Sequence, residues 1–202
     1  MSELLNRSFY SNEDVVNLSQ QLLGKYLCTN LNGKYTSGKI VETEAYRAPE
    51  DKASHAYGNR RTNRTEIMFN EGGHAYIYLC YGIHHLFNVV TGPTDMAHAI
   101  LIRAIEPTDG IEHMMTRRNM TKINYRLTNG PGILSQALGL SRDQNGESLT
   151  DRNLVWIENR YVSLEKDEVI RSTRIGVDYA EECASWDWRF RIKNNPWCSP
   201  AK

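Results

Sequence analysis

The chain has 202 residues, 40% of them hydrophobic and 24% charged, with 24 basic and 24 acidic side chains and a formal net charge of zero. That length supports one sizeable core and demands no second one, so a single domain spanning residues 1–202 is expected. Charge balance excludes a general polycation but leaves room for a local basic face. No apolar run reaches membrane-spanning length and no signal peptide is recognisable.

Residues 1–9 carry no clear pattern. Ser11 with Asp14 fits an N-cap, Val15, Val16, Leu18, Leu22 and Leu23 recur at helical spacing, and Gly24 fits a stop, so a helix is predicted over 12–23. Two strands, 25–30 and 34–46, then flank Asn32-Gly33, a strong hairpin signal. Within the second, Ile40-Val-Glu-Thr-Glu-Ala-Tyr46 combines β-branched residues with two carboxylates. Strict alternation places Ile40, Glu42, Glu44 and Tyr46 on one face and Val41, Thr43 and Ala45 on the other. Two acids on such a strand are costly unless solvated or paired. The face is therefore either solvent-exposed or the floor of a pocket holding a general base beside an aromatic ring.

Residues 47–66 form a long polar stretch of the kind that is functional or disordered in a compact domain. It holds His55 and Tyr57, and its three arginines, Arg60, Arg61 and Arg64, suit phosphate contacts. Residues 74–81 and 82–90 read as strands around a glycine break. Tyr76 and Tyr78 share a face, and Tyr81 protrudes beside Gly82 from a tight turn; these tyrosines serve either strand packing or base stacking. His84 and His85 are adjacent in a strand and point apart, which is poor metal geometry. Residues 99–105 form an apolar strand, ended by Glu106-Pro107, whose one arginine, Arg103, must reach solvent, a carboxylate or a phosphate. A helix over 109–118 follows. A glycine-rich loop, 128–132, then opens a short helix stopped by Gly139, with no nucleotide-binding P-loop. Short strands are expected at 154–157 and 161–164. Three of the four tryptophans fall in the last 17 residues, as in a tail tied to the core. The four cysteines, Cys28, Cys80, Cys183 and Cys198, form no CxxC pair and read as free thiols in a reducing compartment.

Taken in order and spacing, several of these pieces resemble the mammalian-type alkyladenine (3-methyladenine) DNA glycosylases. They are Ile40–Tyr46, Pro49-Glu-Asp51 leading to His55, Tyr78-x-x-Tyr81-Gly82 with Asn88, and Leu101–Pro107. Asn129-Gly-Pro131, Arg174-Ile-Gly-Val177 and Asn195-Pro-Trp197 complete the set. The resemblance covers roughly residues 15–199. It implies an α/β (α+β) fold: one compact domain with a curved, mostly antiparallel sheet flanked by helices. It implies no metal and no organic cofactor. It also implies a monomer acting on double-stranded DNA containing damaged purines, cytoplasmic and nucleoid-associated in a bacterium or nuclear in a eukaryote.

Residue by residue, the resemblance makes Glu44 the general base that activates water. Tyr46, His55 and Tyr78 become the pocket stacking on a flipped purine, and Tyr81 the wedge that fills the gap in the duplex. Asn88 opposes a guanine amino group, Arg103 supports the base and its phosphate, and Arg60 contacts the DNA backbone. Glu42 reads as a supporting residue whose change to glutamine should be mild.

The chemistry agrees with that resemblance. A damaged base must leave the stack to be reached, an electron-rich aromatic pocket favours an alkylated, cationic purine, and a carboxylate near the anomeric carbon orients water and stabilises developing positive charge. The Ile40–Tyr46 strand carries no lysine for a Schiff base, so the expected enzyme is monofunctional and leaves an abasic site. Two alternatives remain at this stage: a non-catalytic damage-binding protein, and a small-molecule glycoside hydrolase using Glu42 and Glu44. In the latter the two acids face the same way, which is awkward for attack from opposite sides of a sugar.

Overall fold

A computed structural model describes residues 2–200. The chain opens with a two-residue strand, β1 (Glu3–Leu4), and one helical turn, α1 (Arg7–Tyr10), neither of which the sequence announces. Helix α2 (Val15–Gln21) starts later than expected because Asp14, not Ser11, is the N-cap: its carboxylate accepts from the Asn17 N–H. The hairpin of β2 (Tyr26–Leu31) and β3 (Lys34–Arg47) forms as predicted, with Asn32 and Gly33 both at positive φ, 54° and 71°, as a type I′ turn requires.

Strands β4 (Ala75–Cys80) and β5 (His84–Thr91) make the second hairpin, and β6 (His98–Asp109) follows. Contrary to expectation, β6 runs through Pro107. Ile105 donates outward to the Thr128 carbonyl rather than into the ladder with β3. Pro107, two residues on, shares that outward orientation, so its missing N–H removes no ladder bond.

Helix α3 (Ile111–Arg117) and helix α4 (Pro131–Leu138) come next, α4 with proline at its first turn and Gly139 at φ 77° ending it. Strand β7 (Val155–Asn159) is present, but residues 161–164 form no strand. Strands β8 (Val169–Ser172) and β9 (Arg189–Ile192) close the chain.

Among the described residues, all nine strands join one antiparallel sheet in the order β1-β7-β2-β3-β6-β5-β4, with β9 on β3 and β8 on β9. β3 is its axis. One edge pairs with β6 along almost its whole length. The other pairs with β2 over Lys34–Lys39 and with β9 over Glu42–Glu44. The tryptophan-rich tail is therefore tied to the middle of the sheet.

One sheet face carries the main core. Leu18 of α2 and Leu22 at its C-cap, Met114 of α3 and Leu134 and Leu138 of α4 pack there on Ile40, Ala45, Ile77, Phe87, Val89, Ile100, Ile102 and Ile105. Each such fully buried side chain contributes roughly 1.5–3 kcal/mol. The other face carries two smaller clusters. One sets Met68 and Phe69 against Tyr76, Val90 and Ala99; the other sets Ala53 against Val177, Ala180 and Cys183. A cleft opens between them. Among the described residues no helix is long and apolar enough to cross a membrane.

Strict alternation fails at one place in β3. Ile40 and Ala45 both lie in the main core, although their parity differs. The ladder with β6 shifts register between Ile40 and Glu42, where Val41 is an extra residue, and again beyond Glu42. This β-bulge turns Ile40 away from the face shared by Glu42, Glu44 and Tyr46.

Candidate active site

Side chains directly opposite one another in an antiparallel sheet project from the same face. Glu44 of β3 pairs with Leu101 of β6, Leu101 with Asn88 of β5, and Asn88 with Tyr76 of β4. These four residues make one continuous row across four strands, under a cleft of about 760 Å³. That volume lies in the range of small-molecule and cofactor sites. Tyr46, Tyr78, Leu101, Asn88 and Arg103 line it from the sheet, His55 and Arg64 from the segment after β3, and Gly130–Gly132 and Ile175–Val177 from the opposite side.

The end of the row at β3 is a fully buried charge cluster. Glu42 Oε1 accepts from Arg103 Nε at 2.8 Å, Arg189 Nε at 2.7 Å and Ser199 Oγ at 2.7 Å, and Oε2 accepts from the Ser199 N–H at 2.5 Å. Three of those four donors converge on Oε1. Burial pushes the Glu42 carboxyl up, but Arg103, Arg189 and Ser199 outweigh it and hold it below its ordinary value.

Glu44 is equally buried but less occupied. Its Oε1 accepts from the Ile175 N–H at 2.8 Å and pairs with Arg103 Nη1 at 3.2 Å, while Oε2 accepts from the Tyr46 hydroxyl at 2.8 Å. One acceptor position therefore remains, on Oε2. The carboxylate stands just behind the cleft wall formed by Tyr46, Arg103 and Ile175. Burial, then the Glu44 charge, raises the Tyr46 phenol well above its ordinary value, so it stays a neutral donor.

Asp51 and Arg174 brace this arrangement from behind. Both are fully buried in a two-point ion pair, and Arg174 also donates to the Ala45 and Cys183 carbonyls. The Arg174 guanidinium lies 4.8 Å from the centre of the Tyr46 ring, so a cation–π contact fixes the ring from its far side.

The aromatic wall is His55, Tyr76 and Tyr78. His55 meets Tyr78 edge-on at 4.6 Å between ring centres, and Tyr76 lies 5.6 Å from Tyr78. Burial, reinforced by the nearby Arg64 charge, lowers the His55 pKa to about 4, so the ring is neutral at pH 7. Its Nε2 lies 3.2 Å from Arg64 Nη2, which can only donate, so Nδ1 carries the proton and gives it to the Tyr76 hydroxyl at 2.8 Å. Asn88 is held by two bonds from Nδ2 to the Tyr76 and Leu86 carbonyls, which leaves Oδ1 as the polar atom of a side chain lining the cleft.

At the rim, Tyr81 and Gly82 both adopt positive φ, 50° and 73°, in the turn closed by Ile83 N–H to the Cys80 carbonyl. Glycine tolerates this; a bulky aromatic there costs of order 1–3 kcal/mol. The conformation leaves Tyr81 91% exposed and Ile83 72% exposed, an apolar point beside the cleft mouth. Gly132 of α4 comes so close to this hairpin that a Cβ there would sit 2.8 Å from the His84 ring.

The family model for methylpurine-DNA glycosylase matches residues 8–196. The chain belongs to the methylpurine-DNA glycosylase family. Its relatives include proteins provisionally named 3-methyladenine DNA glycosylase. The one from Chlamydia pneumoniae is 50% identical over 192 residues, 94% of this chain and 95% of the relative. That from Chlamydia felis is 49% identical over 190 residues, 94% and 96% of the two chains. That from Bacillus cytotoxicus is 44% identical over 194 residues, 92% and 95%. A DNA glycosylase is an enzyme, so the damage-binding protein without catalysis is set aside.

Within this glycosylase the structure gathers Glu44, Tyr46, His55, Tyr78, Asn88 and Arg103 around one cleft, with Tyr81 at its rim. The arginines of the 47–66 segment separate. Arg60 lines a smaller neighbouring cleft of about 340 Å³. Arg61 turns away, forked onto Glu66 and bonded to Asp95, with Phe69 beneath it. Arg64 lines both clefts. Glu42 is fully buried, paired with both Arg103 and Arg189, and does not line the cleft, which speaks against a second acid of a glycoside hydrolase there.

Sequence reasoning singled out Tyr76 beside Tyr78 by alternation but gave only Tyr78 a place in the pocket. It missed the Ile175 N–H, the Arg174–Asp51 brace, and Arg189 and Ser199. No local pattern marks those last contacts, because the chain returns to β3 from far away in sequence.

Proposed function

We propose that this glycosylase extrudes alkylated or deaminated purines from duplex DNA into the cleft and hydrolyses the N-glycosidic bond, leaving an abasic site. The substrates are 3-methyladenine, 7-methylguanine, hypoxanthine and ethenoadenine, and the whole chain works as one monomeric unit on double-stranded DNA. The observation that carries the reading is the Glu44 carboxylate, held by Ile175, Arg103 and Tyr46 with one acceptor position left, beside an aromatic-walled cleft. A water on that position gives its proton to Glu44 as it attacks the anomeric carbon, and the carboxylate charge stabilises the oxocarbenium character that develops there. Arg103 fixes the Glu44 carboxylate in orientation.

Tyr46, His55 and Tyr78 stack around the extruded base, Asn88 crowds the position of a guanine 2-amino group, and Tyr81 fills the vacated stack. No lysine lines the cleft among the described residues, which favours water over a Schiff-base nucleophile. The deciding experiment is single-turnover base release from lesion-containing duplexes by the wild type and Glu44→Gln. The variant should bind the same DNA and excise about 10²–10⁴-fold more slowly. Turnover at the wild-type rate would remove Glu44 from the mechanism.

A further inference from the structure

The cleft is lined by two arginines, and their charges differ in standing. Arg103 is balanced: Glu42 and Glu44 neutralise it together with Arg189. Arg64 forms no ion pair among the described residues. Its guanidinium lies 4.9 Å from the centre of the Tyr78 ring and 3.2 Å from His55 Nε2. Although exposed on its outer side, the guanidinium thus lies against the two rings that would sandwich a base. His55, a neutral ring, adds no second charge beside it.

From this geometry we propose that Arg64 determines specificity, selecting the extruded base by its charge: the guanidinium favours neutral purines that offer it a hydrogen-bond acceptor and disfavours purines made cationic by alkylation. The inference rests on the proposed base-excision reading and deepens it. Two cations sharing one aromatic box repel each other, and the cleft walls screen them less than water would. A neutral purine with an exocyclic carbonyl, such as hypoxanthine, meets the same guanidinium as a donor. The aromatic wall by itself rewards a cation, so Arg64 sets the balance between the two substrate classes. Through His55 Nε2 it also fixes the tautomer that the wall presents, with the proton on Nδ1 toward Tyr76.

The test uses two duplexes identical but for one nucleotide, hypoxanthine in one and 7-methylguanine in the other. Single-turnover excision rates are measured for the wild type, Arg64→Gln and Arg64→Lys. Comparing the ratio of 7-methylguanine to hypoxanthine excision between proteins cancels the intrinsic lability of the alkylated bond. Arg64→Gln should raise that ratio about tenfold over the wild type, the order expected for removing one like charge from a partly solvated cleft. Arg64→Lys, which keeps the charge, should stay close to the wild-type ratio. Equal slowing on both duplexes would make Arg64 a backbone contact and overturn the proposal, as would an unchanged or lowered ratio in Arg64→Gln. A wild type that releases neither base defeats the excision reading and this inference with it. A wild type active on both, with a ratio indifferent to Arg64, defeats this inference alone. The side chain is exposed on its outer side, and melting curves check that neither variant unfolds.

Discussion

Glu42→Gln should be severely destabilising, although Glu42 makes none of the cleft wall. Glu42, Glu44, Arg103 and Arg189 form a buried set whose charges cancel. The substitution removes one negative charge and leaves two guanidiniums with one carboxylate. It also turns an acceptor into a donor. The amide does least harm with its oxygen at the Oε1 position, where three donors converge, and its NH2 then faces the Ser199 N–H across a gap of 2.5 Å. Breaking one partner out of a buried ion pair costs about 3–5 kcal/mol. For a chain of this size, each kcal/mol lowers Tm by roughly 2–4 °C, so a fall of about 6–20 °C is expected.

The pH dependence gives the loss a signature. The Glu42 carboxyl is held below its ordinary value by Arg103, Arg189 and Ser199 against the opposing effect of burial. Its contribution is therefore complete above the unfolded-state pKa of about 4.3, and disappears as pH falls through the lower folded-state pKa. The gap in Tm between wild type and variant should be wide from pH 5 to 8 and close in strongly acid solution. Melting curves by circular dichroism across that range measure it. A variant that melts within about 2 °C of the wild type at pH 7 would refute the claim that the cluster depends on this charge.

Two further outcomes test the rim and the floor of the cleft. Tyr81→Ser should slow excision from a well-paired lesion more than from the same lesion in a mismatched or single-stranded context, since a wedge offsets the stacking lost on extrusion, a few kcal/mol per step; equal slowing in both contexts would defeat the wedge role. Asn88→Ser should raise release of undamaged guanine relative to hypoxanthine in paired-rate measurements, and an unchanged ratio would reduce Asn88 to the strand-bracing role of its two Nδ2 bonds.

Residues whose signal is local were legible in the sequence. The Asn32-Gly33 hairpin, the break at Gly82 with Tyr81 exposed beside it, and the stop at Gly139 all follow from backbone preferences that act within a few residues. The central position of Ile40–Tyr46 was legible for a similar reason, since two carboxylates in an apolar strand demand an explanation. What stayed hidden depends on chain return. Strand β9 pairs with Glu42–Glu44, and Arg189 and Ser199 reach Glu42 from that returning tail. Three arginines in five residues read alike, yet neighbouring acids take Arg61 and an aromatic wall takes Arg64. Alternation was the right rule for Glu42, Glu44 and Tyr46 and the wrong one for Ile40, because a bulge is an event between two strands and leaves no mark in one of them.

That bulge turns Ile40 and Ile105 into the main core while Glu42 and Glu44 face the cleft, without disturbing the rest of the sheet. On β3 the extra residue is Val41, between Ile40, opposite Ile105, and Glu42, opposite Ala104. On β6 it is Arg103, because the next pair is Thr43 with Ile102. The two insertions lie on opposite strands at the same place, so the second cancels the first. Beyond them Glu44 meets Leu101 in the register that Ile40 and Ile105 had before. Either insertion alone would slip every later pair by one residue, and a slip of one exchanges the faces of a strand. Glu44 would then lose its alignment with Asn88 and Tyr76. With both present the defect stays local, and its extra residue is the arginine that touches both carboxylates. An unbroken ladder in that register would already set Arg103 opposite Glu42; the bulge pair instead turns Ile40 and Ile105 to the other side, into the main core. It also restores the flat run of paired residues on which the cleft floor depends.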